Sequence, residues 1–160
     1  MTHNHYTPEA LAALDADIEV AQERHTKAMY AMGSDESSHE SWHDNPAFEQ
    51  AKQDEDMART HLAKLRALRR DAVVVERDGA STMVEVGSTI RVLLDGEDEP
   101  MIIHMAGHFV GVREGDDGTF MMSTTSPMGK ALMGKSEGDH VTYTSGTGKA
   151  LGATILELAN

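Results

Sequence analysis

The sequence contains no cysteine among its 160 residues, which excludes disulfide bonds and thiolate metal sites. Aromatic residues make up only 4% of the chain, so a hydrophobic core has to use aliphatic side chains and the 11 methionines. No stretch approaches the roughly 18 apolar residues that a membrane-spanning helix requires. The first residues show neither the basic start nor the apolar run of a signal peptide. We therefore expect a cytoplasmic protein.

Basic residues are also scarce. The chain has 14 Lys and Arg against 27 Asp and Glu, and its formal net charge is −13. Broad binding to nucleic-acid phosphates needs clustered basic side chains, so this class of function is disfavoured. An acidic chain of this kind favours a basic protein partner or a metal ion, or the charge serves solubility alone.

The first half of the chain has the pattern of two paired helices. Thr7-Pro8 supplies an N-cap and a proline at the first helical position, Gly33 supplies a stop, and Asn45-Pro46 repeats the start signal. Mostly apolar or small residues recur at alternating spacings of three and four, which is a heptad seam. The short connection predicts antiparallel neighbours. The seam positions are Leu11, Leu14, Ile18, Ala21, His25, Ala28 and Met32, then Phe48, Ala51, Glu55, Ala58, Leu62 and Leu65.

Two of the seam positions are polar, one on each predicted helix. Glu55 interrupts the apolar seam of the second helix, so the packing is expected to be imperfect there. His25 occupies the first seam, and we interpret it as a packed polar seam residue rather than a metal ligand.

The second half has the shorter period of β-strands, separated by Gly- and Asp-rich turns. Ser126-Pro127 starts one short helix, which Gly134 ends. We predict an α+β fold with a helical hairpin at residues 1–76, an acidic tip at 33–46, a linker at 77–81 and a β-rich domain at 82–160. The predicted strands are 72–76, 83–86, 89–94, 101–105, 109–113, 119–123, 140–144 and 153–158.

The tip carries the acids Asp35, Glu36, Glu40 and Asp44. These carboxylates could ligate a hard cation such as Mg²⁺, or they form a merely solvated loop. His39-Glu40-Ser41-Trp42-His43 also matches H-E-x-x-H, the pattern of zinc metalloproteases. That chemistry needs both histidines on one face of a helix. A serine-rich loop does not offer such a face, so a metal-dependent hydrolase is a minor alternative, and adventitious metal binding at the two histidines is favoured over it.

Arg66, Arg69 and Arg70 lie near the base of the second predicted helix. They form either a solvated face that pairs with acids or a docking patch for a partner.

Three segments together resemble the GreA/GreB family of bacterial transcription elongation factors. Residues 86–90 are similar to the strand that opens the family's C-terminal domain. Residues 125–139 are similar to its S-P-x-x-x-A-L-x-G-K-x-x-G-D run, which is long and specific. Residues 44–48 are similar to the end of the tip and the start of the second helix. The resemblance covers almost the whole chain and is weakest at the tip.

The resemblance implies an N-terminal antiparallel coiled coil and a C-terminal FKBP-like domain. In the family, this domain docks on RNA polymerase at the rim of the secondary channel, here through Thr125, Ser126 and Pro127. The hairpin reaches towards the catalytic centre, close to the 3′ end of the nascent RNA. Family members with cleavage activity use two tip acids spaced three apart to help hold a Mg²⁺ of the polymerase. Such a protein is a monomeric cofactor of the polymerase, with no cofactor of its own and no membrane association, and is not itself an enzyme.

The sequence departs from this pattern at the tip. Asp44 falls on the second acidic position, but Ser41 holds the first, with Glu40 one residue away. A hydroxyl is a poor replacement for a carboxylate that holds Mg²⁺. We therefore expect an inhibitory regulator of RNA polymerase without robust cleavage stimulation.

Two further interpretations stay open beside this one. The first is an active cleavage factor in which Glu40 and Asp44 hold the Mg²⁺ together. The second is a prolyl isomerase, suggested by the FKBP-like half alone. That activity needs an aromatic-lined pocket, for which this half offers only Phe109, Phe120 and Tyr143.

Overall fold

The computed structural model describes residues 4–35, 46–76, 81–108 and 113–159. The chain forms two compact units, one made of the residues up to Ala12 and from Ala72 onwards, the other of Ala13–Asp71. The helices are α1 (Pro8–Asp35), α2 (Pro46–Arg70) and α3 (Pro127–Leu132). The strands are β1 (Asn4–Tyr6), β2 (Ala72–Val74), β3 (Thr89–Leu94), β4 (Met101–Gly107), β5 (Arg113–Glu114), β6 (Thr119–Ser123), β7 (His140–Thr144) and β8 (Ala150–Ala159).

The α+β class, with a helical hairpin and a β-rich domain, is confirmed. No helix in the described ranges combines the length and the apolar character that crossing a membrane requires.

The helix starts lie where the capping signals predict them. Thr7 is buried, and its side-chain oxygen accepts a hydrogen bond from the backbone N–H of Ala10 at 3.3 Å. Both α1 and α2 begin at a proline, Pro8 and Pro46, because a proline at the first helical position gives up no intrahelical hydrogen bond. α1 ends at Asp35, slightly beyond the predicted stop at Gly33.

Contacts between α1 and α2 run in antiparallel order. Asp15 lies against Arg69 near the start of α1, whereas His25, further along α1, lies against the earlier α2 residue Glu55. Every predicted seam position from Leu14 to Leu65 is buried or half-buried. The predicted seam is therefore confirmed, with its most buried positions at Leu14, Ala21, Leu62 and Leu65.

The strands form one mixed sheet in the order β2-β1-β4-β3-β8-β7, with β6 paired to β4 and β5 paired to β6. The pairs β1–β2 and β4–β6 are parallel, and the remaining pairs are antiparallel. α3 follows β6 directly, at the end of the strand that lies beside β4.

The observed division of the chain differs from the predicted one at both ends of the hairpin segment 1–76. Asn4–Tyr6 and Ala72–Val74 pair in parallel as strands of the sheet, and Tyr6 also pairs with Gly107 of β4. β2 lies within the strand predicted at 72–76, whereas β1 was not predicted, because this three-residue segment gains its backbone hydrogen bonds from partners distant in sequence. Of the predicted linker at 77–81, residues 77–80 lie outside the described residues.

The strand predicted at 83–86 is wrong. The backbone N–H of Ser88 donates to the carbonyl oxygen of Glu85 at 3.0 Å, and the Ser88 hydroxyl accepts from the Glu85 N–H at 2.9 Å. Gly87 has a φ of 90°, in the region that favours glycine. The chain therefore turns at residues 85–88, although Val84 is buried and its N–H donates to Lys135 and its carbonyl oxygen accepts from Gly134.

The hydrophobic core of the β-rich unit is aliphatic and methionine-filled, as the low aromatic content predicts. Its buried members are Val84, Ile90, Val92, Ile103, Met105, Met122, Met128, Leu132, Val141, Ala153 and Ile155. Met105, Met122 and Met128 belong to this core, in which an unbranched side chain adapts to irregular gaps.

Candidate functional site

The turn between β6 and α3 holds the predicted docking residues in a fixed conformation. Ser126 is the N-cap of α3, and its hydroxyl accepts a hydrogen bond from the Gly129 N–H at 2.9 Å. The same hydroxyl donates to the carbonyl oxygen of Ser123 at 2.8 Å. Both hydrogen-bonding roles of the Ser126 side chain are therefore met inside the chain, and its part in the site is to shape the turn.

Thr125 and Pro127 are the exposed members of this turn. The Thr125 hydroxyl lies 2.7 Å from the Ser123 hydroxyl, and the Thr125 N–H donates to that same oxygen at 3.2 Å. These contacts hold Thr125 in place while leaving the Pro127 ring facing solvent. The structure thus brings the predicted docking residues together, and their binding to a partner stays a prediction.

Gly129 allows α3 to begin this close to β6. A Cβ atom at Gly129 would lie 2.0 Å from the Ser123 carbonyl oxygen, well inside any real contact distance. Sequence reasoning singled out the run around Gly129 but not this residue, because its requirement comes from a contact across the turn.

The predicted arginine patch is engaged within the hairpin. Arg69 Nε donates to Asp15 Oδ1 at 2.6 Å, Arg70 Nε donates to Asp71 Oδ1 at 3.0 Å, and Arg66 donates to the side-chain oxygen of Gln22. All three arginines are exposed. Exposed contacts of this kind are individually weak, because water and salt screen them, so a partner can replace them with its own acids at small cost.

The two polar seam residues contact each other. His25 Nε2 lies 3.0 Å from Glu55 Oε1, and the two side chains are 18% and 15% exposed. Arg59 Nε lies 3.8 Å from the same oxygen, and Arg59 also pairs with Asp56 one helical turn before it. The interpretation of His25 as a packed polar seam residue is confirmed, and its partner is the other polar interruption of the seam.

Most of the tip lies outside the described residues. This holds for Glu36, Glu40 and Asp44, for the H-E-x-x-H pattern at 39–43, and for the side chain of Asp35, which ends α1. Within the described ranges, no group of three or more His, Asp or Glu side chains could hold a metal ion.

Two of the three aromatic residues considered for an isomerase pocket lie in the described part of the chain. Tyr143 is half-buried and packs against the hydrophobic core, and Phe120 is half-buried in β6. Phe109 lies outside the described residues.

His104 of β4 is a titratable residue that sequence reasoning did not single out. Its Nδ1 lies 3.1 Å from the Thr89 hydroxyl, while its Nε2 is buried with no hydrogen-bond partner among the described residues. Burial lowers the pKa of His104, and the nearby carboxylate of Glu9 opposes this shift. The alternation of residues along β4 indicates that His104 points away from the core face of Ile103 and Met105. The same alternation does not predict that His104 is half-buried, which the structure shows.

Comparisons with known proteins place the chain among transcription factors. The family model for the C-terminal part of the transcription elongation factors GreA/GreB matches residues 79–160. The transcription elongation factor GreA of Hyphomonas neptunium is 31% identical over 136 residues, 83% of this chain and 83% of that protein. GreA of Thermomicrobium roseum is 28% identical over 154 residues, 95% of this chain and 94% of that protein. Among solved structures, GreA factor homolog 1 of Thermus thermophilus is similar with a TM-score of 0.47 and 20% identity, over 99% of this chain and 100% of that chain.

Proposed function

The chain belongs to the GreA/GreB family of transcription elongation factors, and from this premise we propose that it inhibits bacterial RNA polymerase from the secondary channel. In this proposal the β-rich unit docks at the rim of the channel and the tip of the hairpin acts near the catalytic centre. The protein is a regulator of the polymerase and carries no active site of its own.

Docking is assigned to the turn before α3. Thr125 and Pro127 are exposed on a turn that Ser126 and Gly129 hold rigid, so binding there costs little conformational entropy. Arg66, Arg69 and Arg70 are a secondary docking surface that would exchange their intramolecular partners, Gln22, Asp15 and Asp71, for acids of the polymerase. The negative charge of the remaining chain favours a contact surface with basic character.

The observation that carries the inhibitory proposal is the serine at position 41 of the tip. Ser41 and Asp44 have the spacing of the family's acid pair, but only Asp44 carries a carboxylate. Mg²⁺ prefers carboxylate oxygens, water and phosphate oxygens, so a tip with one acid of the pair holds the ion weakly. Such a tip still places Asp35, Glu36, Glu40 and Asp44 in the channel. It would obstruct nucleotide access, perturb the Mg²⁺ of the polymerase or compete with other channel-binding factors.

The second candidate function is transcript cleavage on backtracked complexes. Glu40 is one residue away from the neutral position and, with Asp44, supplies two carboxylates in the same loop. If the backbone of the loop turns Glu40 towards Asp44, these two residues would ligate the Mg²⁺ that the polymerase uses to hydrolyse its own transcript.

A hydrolase using residues 39–43 would instead hold stoichiometric zinc, which elemental analysis of the purified protein detects.

The deciding experiment combines two assays with purified polymerase. One follows the length of the transcript in a stalled, backtracked elongation complex, and the other follows transcript yield over many rounds. Reduced yield without shortening of the transcript is the expected result. Rapid Mg²⁺-dependent shortening that is lost in Asp44→Ala would establish the cleavage factor instead. No effect in either assay, together with no 1:1 complex at micromolar concentration, would contradict both candidates.

A further inference from the structure

His25 and Glu55, which contact each other, are the only two polar residues among the seam positions that the sequence defines. Both side chains are largely withdrawn from water, at 18% and 15% exposure, and each finds its hydrogen-bond partner on the opposite helix. A polar group at a seam position lowers the stability of a coiled coil but specifies how the helices align. The polar contact therefore discriminates between helix alignments, whereas apolar seam residues pack against one another in several alignments.

We propose that the His25–Glu55 pair fixes the register of the hairpin, and so positions the tip, because every other seam alignment breaks the hydrogen bond between these two half-buried side chains. The effect on the register is independent of what the protein binds. The consequence for transcription rests on the proposed function, because it requires a tip that acts at a fixed point of the polymerase.

The competing alignments are those in which α2 slides by one heptad along α1. In one of them His25 lies opposite Leu62 and Glu55 lies opposite Met32; in the other His25 lies opposite Phe48 and Glu55 opposite Ile18. Each places two half-buried polar side chains against apolar ones, and a polar group without a hydrogen bond is costly to bury. A slide of seven residues moves α2 by roughly 10 Å at 1.5 Å per residue.

The choice of alignment depends on contacts between the two helices. Arg59 lies 3.8 Å from the Glu55 carboxylate and pairs with Asp56, but all three residues belong to α2, so these contacts persist in every alignment, whereas the His25 contact exists in the observed one. Two further polar links between the helices, Arg69 to Asp15 and Arg66 to Gln22, are exposed. Water replaces exposed partners readily, so these links contribute less to the choice of alignment than the seam pair does.

The register can be measured directly, because a chain with no cysteine accepts spin labels at two introduced cysteines. Lys27 and Lys64 are exposed positions on α1 and α2, well separated along the hairpin, so their distance is sensitive to sliding. The labelled native sequence is expected to give one distance by pulsed electron paramagnetic resonance. His25→Leu combined with Glu55→Leu is expected to add a population displaced by roughly 10 Å.

Two further variants test whether the register depends on the hydrogen bond between His25 and Glu55 itself. The swap of His25→Glu with Glu55→His restores the hydrogen bond and is expected to restore the single distance. Asp15→Asn with Arg69→Gln removes an exposed pair of the same hairpin and is expected to leave the distance unchanged. If the double leucine variant does not fold, His25→Leu alone, which leaves Glu55 without its partner, provides the same measurement.

A single unchanged distance in the leucine variants would overturn the inference. In the transcription assay, the leucine variants are expected to retain polymerase binding through the β-rich unit while losing inhibition in proportion to the displaced population. If the native chain does not bind polymerase at all, the proposed function fails, and the distance measurement still decides the register.

Discussion

Ser126 and Gly129 form a reciprocal unit at the start of α3: the Gly129 N–H donates to the Ser126 hydroxyl at 2.9 Å, and Gly129 has no Cβ to displace the strand end that the same hydroxyl binds. The cap requires the Gly129 N–H to lie near the Ser126 hydroxyl. Only glycine fits there, because a Cβ would collide with the Ser123 carbonyl oxygen. The two residues together hold the neighbouring Pro127 at the surface in one conformation.

The first prediction concerns this close approach. Gly129→Ala would place a Cβ 2.0 Å from the backbone oxygen of Ser123, so α3 has to move away from β6 and break the cap. Overpacking of this kind lowers the free energy of unfolding by about 1–3 kcal/mol, which chemical denaturation measures. Gly146→Ala is the control in the same unit, since nothing lies within 4 Å of its added Cβ. An equal loss in both variants would contradict the argument.

The second prediction separates docking from folding. Pro127→Asp should weaken polymerase binding at least tenfold, which corresponds to about 1.4 kcal/mol, while the melting temperature stays near that of the native chain. An acid at the first helical position is compatible with the helix dipole, so α3 retains its start. Binding is read by co-migration with polymerase at equilibrium. Pro100→Asp replaces another exposed proline of the same unit and should bind normally, and equal loss in both would remove the turn as the docking site.

Local signals in the sequence account for most of the secondary structure. Thr7-Pro8, Pro46 and Ser126-Pro127 each combine a helix start with a proline, and the helices begin there. The strand predicted at 83–86 is wrong because the apolar residues Met83, Val84 and Val86 favour a strand locally, whereas the hydrogen bonds between Ser88 and Glu85 close a turn.

Relationships between distant residues were not predictable in the same way. His25 and Glu55 were each recognised as polar positions on a seam, but their contact depends on the alignment of two helices. β1 has three residues and is stabilised by β2 and β4, both distant in sequence. The need for glycine at Gly129 and the burial of His104 likewise arise only once separate elements pack together.

The third prediction follows from the lowered pKa of His104. Burial disfavours the charged imidazole, so the unfolded chain binds a proton more readily than the folded chain does. Stability should therefore be full above the ordinary value of 6.5 and fall as the pH drops from there towards the lowered pKa of the folded state. His104→Gln keeps a polar partner for Thr89 without titrating, and should show a smaller loss of melting temperature on acidification.

Calorimetry of the native chain and of His104→Gln across this pH range gives the two melting temperatures to compare. His61→Gln, at an exposed position of α2, controls for the removal of a histidine as such. If His104→Gln loses as much stability in acid as the native chain does, the pH dependence originates in other groups.

The last prediction returns to the tip and to the carboxylate missing from its acid pair. Ser41→Glu supplies a second carboxylate three residues before Asp44, and a second carboxylate should hold a shared Mg²⁺ more tightly than Asp44 alone does. The variant should stimulate Mg²⁺-dependent cleavage of the transcript in backtracked complexes, whereas the native chain is expected not to. Ser38→Glu adds the same charge to the same loop at a different spacing and should leave cleavage at the native level. Stimulation by both variants would point to tip charge alone, whereas stimulation by neither would mean that the loop does not present position 41 to the catalytic ion.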